Sequence, residues 1–167
     1  MLWCAPSNAP TPNPRLALSR GQAAAWHDGP IYAGRAVTEE NVEFVRRFFQ
    51  DVNRRDLDAL LACLTPEFEM TVPTGMGVGP RTYQGPEGFR RWFDSFSEIM
   101  EIRVESHDFI SVGDRVVAPH TLHARGRATG IDTEQYAAHV WHLCDGKAEV
   151  LEVFATLDEA LEAARRP

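Results

Sequence analysis

Three side chains in the second half of the chain, His120, His139 and Glu152, join the capacity to carry a proton to apolar sequence surroundings. Successive side chains of an extended segment alternate between faces. His120 therefore shares its face with Val116, Ala118, Leu122 and Ala124, while Thr121, His123 and Arg125 take the other. An imidazole among apolar neighbours can take up or release a proton near neutrality, because its unperturbed pKa of about 6.5 needs only a modest shift. The same placement also suits a packed histidine bonded to a backbone carbonyl. His139 falls with Ala137, Trp141 and Leu143, opposite Tyr136, Val140 and His142, and alternation alone does not say which set looks inward. Glu152 shares a face with Val150 and Phe154, where an acid is either solvated or raised in pKa by burial. The opposite set, Leu151, Val153 and Ala155, is more uniformly apolar and weighs against an inward Glu152. An acid that did reach either histidine would supply the base and orienting partner needed to activate water or remove a proton.

Other chemistries find little support. His107, His123 and His142 are scattered, with no HExxH spacing and no facing carboxylate triad, so no metal is expected. No cofactor is expected either, since Gly75, Gly77, Gly79 and Gly85 form neither GxGxxG nor GxxxxGK[ST]. Cys4, Cys63 and Cys144 are widely spaced and indicate neither a disulfide framework nor a zinc site, which leaves a reducing cytoplasm as the default location. A net charge of -7 and a pI near 5.3 argue against nucleic acid, whose binding relies on Lys and Arg neutralising phosphates. No run approaches the roughly 18 apolar residues of a membrane span, and the opening MLWCAPSNAP lacks the basic and apolar regions of a signal peptide.

The elements that must position these residues follow from periodicity. A chain of 167 residues suits one domain with an extension. Residues 1–36 hold Pro6, Pro10, Pro12, Pro14 and Pro30 without sustained periodicity, so they are read as an extension outside a domain at 37–167. Thr38 is placed to cap a first helix carrying Val42, Val45, Phe49 and Val52 at helical spacing, with Phe44 and Phe48 beside them. Asp56 caps a second helix through Leu57, Leu60, Leu61 and Leu64, ended by Pro66. A strand follows through Phe68, Met70 and Val72, then a Gly-rich loop over residues 73–85. Pro86 opens a third helix with Phe89, Trp92, Phe93 and Phe96 on its apolar face. Strands over residues 103–112, 115–127, 133–143 and 148–156 form an antiparallel meander, His107 and Asp108 marking a bend, and Asp158 caps a last helix. The fold class is α+β, with helices over one face of a curled sheet.

The stretches TEENVEFVRRFFQDVNRRDLDALLACLTPEFEMTVP, YQGPEGFRRWFDSF and AHVWHLCDGKAEVLEVFATLDEALEAA together resemble the SnoaL-like branch of the nuclear-transport-factor-2-like superfamily. The resemblance spans about three quarters of the chain and implies a cone: a curved, mostly antiparallel sheet, three helices from the first half packed on it and a short C-terminal helix. It implies an apolar interior that takes a small hydrophobic molecule, with isomerase, hydrolase or cyclase chemistry in some relatives and none in others. Val72, Tyr83, Trp92, Phe96, Trp141 and Phe154 would line that pocket. The ketosteroid isomerase base and its tyrosine donor fall on Val72 and Phe49, which cannot serve, while a third position of those enzymes falls on or next to His139. The epoxide hydrolase positions fall near His120, Leu122 and Glu152, only the last keeping its acid. The resemblance thus favours inward His139 and Glu152, and it implies a homodimer through the outer sheet face, around Tyr136, Val140 and His142. A non-catalytic binder or an association module would share the same cone.

Overall fold

The structure, a computed structural model, describes residues 39–74 and 81–166. The extension expected at 1–36 and the cap expected at Thr38 lie outside these residues. Helix α1, Glu39–Arg54, begins with two acids, which suit the positive end of its dipole, and buries Phe44, Val45, Phe48, Phe49 and Val52. Asp56 caps α2, Leu57–Ala62, by accepting the Ala59 N–H at 3.0 Å. The helix ends at Ala62, earlier than Pro66, and Pro66 lies inside strand β1, Leu64–Thr71. A register shift between Leu64 and Glu69 accommodates the imino acid, which has no N–H to offer a ladder. Residues 82–84, read as loop, instead make the short strand β2, Thr82–Gln84, antiparallel to β1. Helix α3, Gly85–Ile99, starts with Pro86 in its first turn, as expected.

The chain then runs through β3 (Met100–Ser106), β4 (Ile110–Val112), β5 (Arg115–Gly126), β6 (Asp132–Cys144) and β7 (Lys147–Phe154) to α4 (Leu157–Ala164). The bend at His107 and Asp108 divides β3 from β4. A left-handed Asp145-Gly146 pair, at φ 50° and 75°, makes the tight turn between β6 and β7. The sheet order is β2-β1-β7-β6-β5-β3, with β4 on the other half of β5. One pairing, β1 with β7, is parallel, so the meander closes on the strand that precedes α3. Along the free edge of β3, the Asn53 side chain of α1 donates to the Val104 carbonyl at 2.9 Å and accepts the Val104 N–H at 2.7 Å.

The sheet carries two separate apolar layers. On the inner face, Val116, Ala118, Trp141, Leu151, Phe68 and Met70 pack with Phe44, Phe48 and Phe49 of α1, Leu60 of α2, and Phe89 and Phe93 of α3. On the outer face, Val117, Ala138 and Val140 pack against Ala160 and Ala164 of α4, with Phe154 and Leu157 alongside. The expectation that all helices cover one face is therefore corrected: α4 covers part of the other. Its cap is Thr156, two residues before the expected Asp158; the hydroxyl accepts the Glu159 N–H at 3.3 Å and donates to the Glu159 carboxylate at 3.0 Å. Arg115 secures the far end by donating to the Ala163 carbonyl at 3.0 Å. Cys63, half-buried just before β1, is free.

Candidate functional site

Residues directly opposite one another in antiparallel strands share a face. Ala118 stands opposite His139 and His120 opposite Ala137, which brings both histidines to the inner face beside Trp141. The two imidazole centroids are 4.2 Å apart at an interplanar angle of 67°. The Phe49 ring lies over both, at 5.1 Å from His120 and 5.6 Å from His139, and Trp141 follows at 5.8 Å from His139. Toward the surface, Phe49 stacks on Phe109 at 6.3 Å, and the Arg46 guanidinium sits 5.4 Å above the Phe109 ring. The side chain that resemblance aligned with a tyrosine donor is thus a phenyl ring pressed on the histidine pair.

Among the described residues, no carboxylate joins them. Val140, not His139, stands opposite Glu152, so Glu152 projects from the outer face with Val140, and Phe154, opposite Ala138, joins the α4 layer. The expected convergence of Glu152 with the histidines is corrected, as is Phe154 as an inner pocket wall. The physical reason lies in β7 itself: both its faces are covered, one by α1 and α3 and the other by α4, so an apolar neighbour does not mark the interior. The remaining lining residues do face inward or join that layer. Val72, Tyr83 and Trp141 are buried in it, Trp92 is half-buried against it, and Phe96 stacks on Trp92 at 5.7 Å.

Electrostatics keep the pair neutral. Burial strips water from His120, and although its bond to the Ala118 carbonyl and the nearby His107 also act, its pKa falls to about 4. Burial, then the neighbouring His120, push His139 well below the usual histidine range. Since a carbonyl only accepts, His120 donates from Nδ1 to Ala118 at 3.1 Å and keeps a lone pair on Nε2. His139 is half-buried as a residue, but its Nδ1 is sealed off without a hydrogen-bond partner. The indole Nε1 atoms of Trp141 and Trp92 are also sealed and unpartnered. Each such group forfeits about 1–3 kcal/mol of hydration.

A groove of about 380 Å³ lies on the outer face instead, lined by Glu101, Arg103, His123, Arg125, Asp132 and Glu134 among others. Sequence reasoning missed it, although alternating charges on two neighbouring strands were its signal. His123 stands between Glu105 at 3.1 Å and Glu134 at 3.7 Å, and Arg125 pairs with Asp132 at 3.2 Å. Of the expected outer association residues, Tyr136 is exposed, His142 lies between Asp114 and Glu149, and Val140 is buried under α4.

A curved sheet with α1 and α3 over one face, and a polar pair set among aromatic rings beneath them, defines a nuclear-transport-factor-2-like cone. Among similar solved structures are a nuclear-transport-factor-2-like protein of unknown function from Burkholderia pseudomallei and TerC co-crystallised with polyporic acid. The first is 26% identical, with 77% of this chain and 100% of that chain covered and a TM-score of 0.64. TerC is 25% identical, with 77% and 100% covered and a TM-score of 0.63. A candidate polyketide cyclase from Xanthomonas campestris shares the fold at 18% identity, with 75% and 97% covered and a TM-score of 0.60. The SnoaL-like domain family matches residues 45–151, more than half of the chain, and the protein belongs to that family. No curated protein matches it.

Proposed function

We propose that this chain binds a small, largely apolar molecule in the cone, with His120 and His139 as the polar end of an aromatic chamber. The observation that carries the reading is the pair of neutral imidazoles 4.2 Å apart beneath Phe49 and Trp141, one of them holding an unpartnered Nδ1. Half-buried Trp92, Ile102, Leu122 and Val153 around the same layer supply apolar surface that a ligand would cover. The similarity to TerC makes polyporic acid a reasonable first ligand to try.

Binding is favoured over proton transfer. A base whose conjugate acid has a pKa of about 4 removes protons weakly at neutral pH, Glu152 faces away, and Val72 and Phe49 offer no acid or hydroxyl. Titration of intrinsic tryptophan fluorescence with polyporic acid tests the reading. Quenching that saturates, and that weakens at least fivefold in His139→Leu, is the expected outcome; unchanged binding in both His139→Leu and His120→Leu would remove the pair from the site.

A second reading concerns partners. The exposed Tyr136 and Ile131 near the charged outer groove favour association with a second copy of the chain through that face. Sizing at tens of micromolar, where interactions of modest affinity are populated, should give twice the monomer mass, and a monomer there would end this reading.

A further inference from the structure

Phe49 is a ring neighbour of His120, His139 and Trp141 alike. Its ring lies 5.1 Å from His120, 5.6 Å from His139 and 6.5 Å from Trp141, centroid to centroid. His139 Nδ1 and Trp141 Nε1 are both unpartnered and sealed from solvent, and Trp141 is 0% exposed. A sealed atom has no room beside it even for water, so nothing reaches these two nitrogens unless a side chain moves. Phe48 and Phe44 lie nearer to Trp141, at 4.7 and 6.3 Å, but Phe49 is the phenylalanine ring that neighbours both the His139 and the Trp141 rings, and its outer neighbour Phe109 is half-buried, in the bend between β3 and β4 rather than in a strand. Asn53, one turn further along α1, holds that helix to Val104 through two hydrogen bonds, so the movable part is the ring and not the helix.

Resting on the binding reading above, we infer that the Phe49 ring occupies the ligand's place, and that a ligand displaces it by presenting an acceptor oxygen to Trp141 Nε1–H and His139 Nδ1. The indole group fixes the polarity, because Nε1–H can only donate. The imidazole adapts, donating from Nδ1 in one neutral tautomer and accepting in the other. The ligand class is therefore a ring compound with a carbonyl or comparable acceptor oxygen close to the ring, rather than a plain hydrocarbon or a cation. The competing account is that Phe49 is ordinary core and that the Trp141 indole is satisfied by the face of Phe48, whose centroid is 4.7 Å away at 64°.

Acetophenone and ethylbenzene, alike in ring and chain but differing in the carbonyl oxygen, separate the two. Each is titrated into the full chain as wild type, Phe49→Ala and Phe49→Leu, following the indole N–H resonance of Trp141, assigned by its loss in Trp141→Phe. The expected result is acetophenone binding about tenfold more tightly than ethylbenzene, the worth of roughly one net hydrogen bond. Only acetophenone should move the Trp141 proton downfield, and both variants should bind acetophenone more tightly than wild type because less ring must be displaced. Phe49→Leu, which keeps an apolar side chain, carries the comparison if Phe49→Ala does not fold. Equal affinity for the two probes with a stationary indole resonance, or affinities that ignore position 49, would overturn the inference and leave the binding reading standing. Failure of both probes to bind any of the three chains would overturn both.

Discussion

The histidines of β5 and β6 divide between two environments that differ by one step along each strand. His120 and His139, on the inner face, have lost their water and, among the described residues, have no carboxylate beside them. His123 and His142, on the outer face, each stand between two carboxylates, Glu105 and Glu134 for one and Asp114 and Glu149 for the other. The same side chain therefore sits among aromatic rings on one side of a sheet and between carboxylates on the other. Residue type says little about function until the face is known.

The sharpest contrast should appear in packing. Trp141→Ala empties the inner layer where α1 meets the sheet and should cost about 3–5 kcal/mol in urea unfolding, whereas Tyr136→Ala on the exposed outer face should stay within about 0.5 kcal/mol. Comparable losses would mean that the outer face is as tightly packed as the inner one.

Acid should act next, through the inner histidines. The folded pKa of His120 lies at about 4, below an unfolded value of about 6.5, so the unfolded chain binds the proton more readily and stability falls as pH drops through that window. From pH 7 to pH 5 this single residue accounts for about 2 kcal/mol, and His139 shifts in the same direction. Thermal unfolding at the two pH values should show the loss, and His120→Phe should lessen it; a pH-independent midpoint in the wild type would contradict neutral burial.

Smaller still is the effect of Thr156→Ala, which removes the α4 cap and should cost about 1 kcal/mol while leaving polyporic acid affinity unchanged, because α4 covers only the outer layer. The smallest effect belongs to Glu152→Gln. On the outer face it should alter ligand affinity by less than about twofold, within the scatter of surface substitutions, and a large change would bring the carboxylate back into the site.

Much of the fold was legible because most elements obey a single period. The stripe Val45, Phe49, Val52 and the alternation around His120 each face one apolar layer, and each reads correctly. The errors fall where a local rule met a second constraint. Both sides of β7 are covered, so alternation lost its meaning at Glu152 and Phe154; the uniformly apolar Leu151 and Val153 pointed inward correctly, and the resemblance drew attention the wrong way. Pro66 looked like a stop because the register shift in β1 has no sequence signature. Thr156 and Glu159 carried a readable T-x-x-E cap that Asp158 obscured. The histidine pair was visible as two candidates, but its neutrality depends on the absence of an acid, and only register across three strands reveals that.

The Asn53 amide gives Val104 both hydrogen bonds that an adjoining strand would have supplied. An open sheet invites foreign strands to lengthen it, and the unpaired groups along β3 would be the invitation. A single side chain from α1 occupies the middle of that edge, and the opposite edge is only the three-residue β2. Neither margin offers a long template for cross-chain strand addition, so this sheet is guarded against polymerising by its own first helix.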